Sequence, residues 1–113
     1  MLPQIHRLTL KADFENVFRK GTYHTIGSIY LKKIATDRNI SRIGIIIEKK
    51  IFKQATERNR IRRLLREVLR QKITDLQSGF DIVLFYRSKE KIIDLAKLMI
   101  VITKLLQKSN LIK

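Results

Sequence analysis

The passage between residues 42 and 86 constrains the fold most, because it sets an amphipathic helix between two strongly apolar strands. Residues 42–48 (RIGIIIE) and 80–86 (FDIVLFY) have the length and the β-branched and aromatic content of buried strands. Apolar side chains recur between them at helical spacing: Ile61, Leu64, Leu65, Val68, Leu69, Ile73 and Leu76. Ser78 and Gly79 are predicted to end this helix. Such a strand–helix–strand unit pairs its two strands in parallel under the helix.

The near-continuous apolar run in residues 42–48 carries a further expectation. A strand with one solvated face alternates between apolar and polar residues, whereas a strand buried on both faces does not. The run therefore predicts either burial on both faces or a central position in the sheet.

A helix is predicted on each side of this unit. The first follows Thr9, whose hydroxyl can cap its first turn, and ends at Gly21, which is placed as a left-handed C-terminal residue. The last begins after Asp94 as its N-cap, with Ile93 and Leu98 spaced as a hydrophobic staple.

Residues 22–34 supply the rest of the sheet. Gly27 divides this stretch into a short strand and a longer one, and both can pair antiparallel. The predicted fold class is therefore α+β: an α-β sandwich in which three helices pack against one sheet of about four strands. Residues 1–113 are predicted to form a single domain.

Positive charge is the second strong feature, and it is concentrated. The chain has 25 Lys and Arg against 10 Asp and Glu, a formal net charge of +15. The stretch 49–72 holds ten of the basic residues, opposed by only Glu57 and Glu67. At about 100° per residue, the side of the central helix opposite its apolar stripe carries Asn59, Arg60, Arg62, Arg63, Arg66 and Arg70. A folded domain with such a face predicts a polyanionic partner, and nucleic acid is the first candidate because guanidinium groups match phosphates.

Two alternative roles for this basic side of the helix fit the sequence less well. A solvated face held by ion pairs normally mixes both signs of charge. Binding to a membrane surface would need bulky apolar residues beside the basic ones, and the apolar side of this helix is needed against the sheet. We therefore predict no membrane partner.

The aromatic residues Phe14 and Phe18 lie four positions apart and share one face of the first helix. Core packing is the more common role of such a pair, and stacking on unpaired bases is the alternative. Tyr23 and Tyr30 lie on strands and carry the same two possibilities.

No catalytic or metal site is predicted within the protein. The chain has no cysteine, and its two histidines, His6 and His24, have no second ligand at metal-binding spacing. The acidic residues are scattered, whereas nuclease chemistry by the protein itself needs two or three carboxylates around metal ions. A basic chain without cysteine and with no visible targeting segment is predicted to be cytoplasmic.

Residues 42–67 (RIGIIIEKKIFKQATERNRIRRLLRE) resemble the protein subunit of bacterial ribonuclease P. The family signature is a strand that ends in a Lys-Lys pair, then a short loop, then a helix that carries Arg-Asn-Arg. These parts are present in order as Lys49-Lys50, Ala55, Arg58-Asn59-Arg60 and Ile61-Arg62-Arg63. The resemblance extends over essentially the whole chain and includes Phe14, Val17, Phe18 and Gly21.

The resemblance implies a fold and an activity. The family's central strand–helix–strand crossover is left-handed, whereas the general rule for parallel strands expects a right-handed one. The enzyme is a ribonucleoprotein that removes the 5′ leader of precursor tRNA. Its catalytic RNA subunit holds the magnesium ions and performs the hydrolysis. The protein is inactive alone, acts as a monomer, and raises the affinity for magnesium and substrate.

The resemblance also implies two sets of binding residues. Those expected to face the RNA subunit are Arg58, Asn59, Arg60, Arg62, Arg63 and Arg66. Those expected to line a cleft for the single-stranded leader are Phe14, Phe18, Tyr30, Lys32, Lys49 and Lys50. Glu48 stands where the family usually has a small residue, and it places an acid beside this cleft.

Two binding functions remain as alternatives. A non-catalytic RNA-binding module such as a ribosomal protein would bind RNA without any need for the Arg-Asn-Arg spacing. A DNA-binding regulator would need two closely packed helices with a short turn, but here a strand lies directly before the arginine helix.

Overall fold

The computed structural model describes residues 6–27, 29–87 and 94–113. The elements in chain order are α1 (Lys11–Lys20), β1 (Thr22–Ile26), β2 (Ile29–Ala35), β3 (Arg42–Ile47), α2 (Ala55–Lys72), β4 (Phe80–Tyr86) and α3 (Leu95–Lys108). The four strands form one sheet in the order β1-β2-β4-β3. β3 runs parallel to β4, and the other two pairs are antiparallel. This confirms the predicted α+β class, and Gly27 divides β1 from β2 as expected.

Apolar side chains cover both faces of the sheet. On one face, α2 and α3 enclose the main core, which includes Ile61, Leu65 and Ile102. On the other face, α1 covers a smaller core, in which Val17 and Val83 are fully buried. Alternate residues of β4 enter the two cores, so this central strand is apolar almost throughout.

β3 is buried on both faces, but its predicted alternative, a central position in the sheet, is wrong. Ile43 and Ile47 belong to the main core, and Ile46 packs against the smaller one. β3 is nevertheless last in the strand order. Its outer edge is covered by Arg7, which bridges Ile43 in parallel. An apolar edge strand avoids open pairing groups in this way.

The orientation of Ile43 fixes the hand of the crossover. Its side chain faces α2, and its carbonyl accepts from the N–H of Leu8 on the edge away from β4, at 2.9 Å. For an L residue on an upward strand with its side chain toward the viewer, the backbone carbonyl points right. Seen from α2, β4 therefore lies left of β3, and the β3-α2-β4 crossover is left-handed. The family resemblance is confirmed here against the general rule.

The predicted first residue of α1 is wrong, whereas Gly21 ends the helix as predicted but with a different backbone conformation. The helix begins after Leu10, not Thr9, and no side chain caps it. Gly21 has an extended backbone with φ −72° rather than a left-handed one. Glycine is needed there for space, because a Cβ would lie 2.5 Å from the carbonyl oxygen of Val17.

For the other two helices, the predicted end of α2 is wrong and the predicted N-cap of α3 is confirmed. α2 ends at Lys72, and the chain then turns with Leu76 still packed on the main core, so Ser78 does not end the helix. Asp94 does cap α3, since its carboxylate accepts from the N–H of Ala96 at 2.8 Å. The staple partner Ile93 lies outside the described residues.

Candidate nucleic-acid interface

α2 buries one side and presents arginine on the other. Ile61, Leu65 and Val68 are buried against the main core. The opposite side carries Asn59, Arg60, Arg62, Arg63, Arg66 and Arg70, which we call the arginine face. Within it, Arg62 Nη1 donates to Asn59 Oδ1 at 3.2 Å. The structure brings together the side chains that helical periodicity predicted.

Two arginines of α2 are already engaged within the protein. Arg58 Nη1 donates to the carbonyls of Phe52 and Lys53 at 2.8 and 2.9 Å, which fastens the preceding loop to the helix. Arg70 donates two hydrogen bonds to Glu67, at 2.7 and 3.1 Å. These bonds, with a further one from Gln71, hold the pKa of Glu67 at about 2. The positive potential of the arginine face therefore comes mainly from the other arginines.

Arg66 lies at one margin of the arginine face and is partly buried. Burial lowers the pKa of its guanidinium, and the like charges of Arg7 and Arg62 lower it further. Several positive charges therefore lie close together at this margin of the arginine face.

A second basic surface lies across the sheet, on the face that carries α1. An open concavity of about 250 Å³ is lined by Tyr23, Tyr30, Lys32, Phe85 and Arg87, and we call it the aromatic groove. The rings of Tyr23 and Tyr30 are 5.5 Å apart between centroids, and Tyr23 is 53% exposed. Aromatic faces beside basic side chains suit unpaired nucleotides.

Phe18 and Lys32 close one side of this groove. The ring of Phe18 lies 5.2 Å from that of Phe85, between centroids. Lys32 Nζ donates to the carbonyl of Phe18 at 3.0 Å, so its charge sits at the carboxyl end of α1. The predicted residues Phe18, Tyr30 and Lys32 do come together. Phe85 and Arg87 join them without having been predicted, because strand register alone places Phe85 opposite Tyr30.

Phe14, by contrast, lies away from the aromatic groove. Its ring rests on Gly44 of β3, where a Cβ would overlap it. It also packs against the smaller core. Of the two roles that its sequence position left open, Phe14 takes the packing role in this structure.

Adding a methyl group at Gly44 tests this contact. Gly44→Ala is expected to lower the free energy of unfolding by about 2 kcal/mol, because the ring of Phe14 must move. Denaturant unfolding measures the change. The double variant with Phe14→Leu is expected to lose less than the sum of the two single variants, since leucine leaves room for the methyl group. A Gly44→Ala protein as stable as the parent would contradict the close seating of Phe14.

Lys49 and Lys50 occupy the exposed turn after β3, and no partner of either side chain is seen among the described residues. The neighbouring acid, Glu48, forms an ion pair with Arg87. Glu48 Oε2 lies 3.3 Å from Arg87 Nε, and the Arg87 guanidinium lies 5.5 Å from the ring centroid of Tyr30. Glu48 thus holds Arg87 at the wall of the aromatic groove, and its charge is compensated.

A family model described as Ribonuclease P matches residues 2–110, nearly the whole chain. The chain belongs to the ribonuclease P family.

Individual relatives carry the same description. The ribonuclease P protein component of Pseudanabaena sp. is 41% identical over 85 residues, covering 74% of this chain and 72% of the relative. That of Dehalococcoides mccartyi is 37% identical over 113 residues, covering 98% and 90%. The ribonuclease P protein structure from Thermotoga maritima superposes with a TM-score of 0.81 at 28% identity, covering 90% of this chain and 96% of that one.

Membership in the ribonuclease P family defines the chain as the protein subunit of that enzyme, an RNA-binding protein of tRNA processing. The ribosomal-protein alternative is not favoured. In the described part of this ribonuclease P protein, no three His, Asp or Glu side chains come together as metal ligands. Within the same residues, no helix is long and apolar enough to cross a membrane.

Proposed function

We propose that this ribonuclease P subunit docks its arginine face on a catalytic RNA and holds the 5′ leader of precursor tRNA in the aromatic groove. The observation that carries the proposal is the presence of two chemically distinct basic surfaces on opposite sides of one sheet. One is a helix face rich in guanidinium groups, and the other is a groove lined by tyrosine, phenylalanine, lysine and arginine.

The arginine face suits a folded RNA. Arginine forks donate two hydrogen bonds to phosphate oxygens, and a rigid helix fixes their spacing. Arg58 contributes less directly to RNA binding than the resemblance implied, because its guanidinium already donates hydrogen bonds to the loop carbonyls of Phe52 and Lys53. Arg60, Arg62, Arg63 and Arg66 are then the main phosphate contacts.

The aromatic groove suits a single strand of varied sequence. Every base offers a face to a tyrosine or phenylalanine ring, so stacking tolerates many leaders. Lys32 offers positive charge along the same groove, and Arg87, which is paired with Glu48, lines its wall. Lys49 and Lys50, exposed on the turn next to Glu48, extend this charge toward the backbone phosphates of the leader.

In this proposal the RNA subunit performs the hydrolysis and holds most of the magnesium. The protein contributes positive charge and a bound leader, which lowers the magnesium concentration that the RNA needs. It acts as a monomer, and the cytoplasm is its predicted location.

Arg60→Ala tests the docking surface. We expect the affinity for the cognate RNA subunit to fall about tenfold, because one charged phosphate contact is lost. For the parent protein, six to eight neutralised phosphates give a slope of log affinity against log salt on the order of −4 to −7. The slope is expected to become shallower by about one in the variant. Titration of labelled RNA subunit at several salt concentrations measures both quantities.

Lys104→Ala is the matched control for this experiment. It removes one positive charge from the exposed side of α3, outside both proposed surfaces. It is expected to change the affinity less than about twofold, because a distant exposed charge is screened. Equal losses for the two variants would show that net charge, rather than the arginine face, governs binding.

A further inference from the structure

The segment before α1 is fastened to the edge of β3 at two points. His6 Nδ1 lies 2.9 Å from the carbonyl oxygen of Ser41, as a donor in that contact. The N–H of Leu8 donates to the carbonyl of Ile43 at 2.9 Å. Arg7 lies between these two anchors, so its backbone position is fixed by the protein itself.

The pairing of Arg7 with Ile43 decides which way its side chain points. Residues paired in a bridge project to the same face of the sheet. Ile43 projects into the main core beneath α2, so Arg7 projects to the α2 side. Leu8 projects to the opposite side and is buried in the smaller core.

Arg66 of α2 reaches the same edge. A small notch of about 80 Å³ is lined by Arg7, Leu8, Thr9, Phe14, Ile43, Gly44, Ile45 and Arg66. Its charged side chains are two arginines, from segments almost sixty positions apart in sequence. Burial lowers the pKa of Arg66, and the nearby positive charges of Arg7 and Arg62 lower it further.

The guanidinium groups of Arg7 and Arg66 line one notch, and burial of Arg66 weakens the hydration of its charge. A phosphate between them would bring a negative charge to both guanidinium groups and accept hydrogen bonds from both forks.

We propose that Arg7 and Arg66 together bind one backbone phosphate of the RNA subunit at the β3 edge. This inference rests on the proposed docking of α2 on the RNA subunit. It extends the docking surface around the edge of β3 to the segment before α1 that contains Arg7. The RNA subunit is favoured over the leader because Arg66 continues the arginine face through Arg62. The aromatic groove lies beyond the other end of α1, where Phe18 and Lys32 meet.

The test is a double-variant cycle with the full-length protein and the cognate RNA subunit. Arg7→Ala and Arg66→Ala are each expected to weaken binding about tenfold and to make the salt slope shallower by about one. Because both side chains hold the same phosphate, the double variant is expected to lose clearly less than the product of the two single losses. Lys104→Ala again serves as the control of equal charge.

Arg7→Lys separates a role in binding from a role in folding. Backbone groups and Leu8 hold the segment in place, so lysine keeps the positive charge on an unchanged backbone. Binding is expected to fall only about threefold, since lysine makes a point contact where arginine makes a fork. A loss as large as that of alanine would overturn the phosphate contact. Thermal melting of each variant checks that the fold persists.

Three results would overturn the inference while leaving the proposed docking intact. Arg7→Ala could leave the affinity for the RNA subunit unchanged while Arg60→Ala lowers it. The two losses could multiply fully in the double variant. Arg7→Ala could weaken only the binding of a single-stranded leader oligonucleotide, which would assign the notch to the leader. If Arg60→Ala were also without effect, the docking of α2 itself would fail.

Discussion

Replacing Asp81 with alanine is expected to lower the free energy of unfolding by about 3 kcal/mol. The carboxylate of Asp81 is only 5% exposed and accepts two hydrogen bonds from Arg42, from Nε at 3.0 Å and from Nη2 at 2.8 Å. Asp81 raises the pKa of Arg42, chiefly through these bonds. Its removal leaves a largely buried guanidinium with one remaining acid, Asp13 of α1, at 3.3 Å. Urea unfolding followed by circular dichroism measures the cost.

Two further variants make this result specific. Arg42→Met combined with Asp81→Leu is expected to recover part of the loss, because neither member of the pair is then left buried alone, while Asp13 loses its contact with Arg42. Glu67→Ala removes an exposed pair with Arg70 and is expected to cost much less than Asp81→Ala, because solvent screens an exposed ion pair. If Asp81→Ala cost no more than Glu67→Ala, the burial of the Arg42–Asp81 pair would not make it more important to stability than an exposed pair.

Phe18→Ala is expected to weaken the binding of leader-bearing precursor tRNA by about tenfold, since one base-stacking contact is worth about 1–3 kcal/mol. The affinity for mature tRNA, which has no leader, is expected to stay the same. The ring of Phe18 lies against Phe85 at the wall of the aromatic groove. Competition binding of the two tRNA forms to the holoenzyme measures the difference.

Phe18→Leu controls for the loss of packing. Leucine keeps most of the apolar volume in the smaller core but offers no ring for a base. It is expected to lose precursor binding nearly as much as alanine does, with a smaller loss of stability. Equal weakening of precursor and mature tRNA by both variants would contradict the assignment of the groove to the leader.

The sequence predicted the elements of this fold because their signals are local. Apolar spacing placed α2, and the run FDIVLFY placed β4 at its true bounds. The sequence did not predict that β3 lies at the end of the sheet. The outer edge of β3 is covered by Arg7, which is distant in sequence and does not lie in a strand-like pattern. Ile73 and Leu76 continued the helical spacing beyond Lys72, although the backbone there turns while both side chains still pack on the core.

The arginine face and the aromatic groove also differ in how far the sequence alone predicts them. The arginine face lies on one helix, so its residues could be placed from periodicity alone. The aromatic groove depends on the register that sets Tyr30 opposite Phe85 and on the meeting of Glu48 with Arg87. Neither contact follows from the order of residues along the chain. The seating of Phe14 on Gly44 likewise needs the parallel β3–β4 pairing to be known.

Cleavage of precursor tRNA by the cognate RNA subunit, with and without this protein and across magnesium concentrations, tests the central claim most directly. We expect the protein alone to be inactive. We expect its addition to the RNA to move half-maximal cleavage to lower magnesium, with a larger gain for a precursor that carries a long leader than for one with a single leader nucleotide. Unchanged substrate binding and cleavage on addition of the protein, or cleavage by the protein without RNA, would contradict the account.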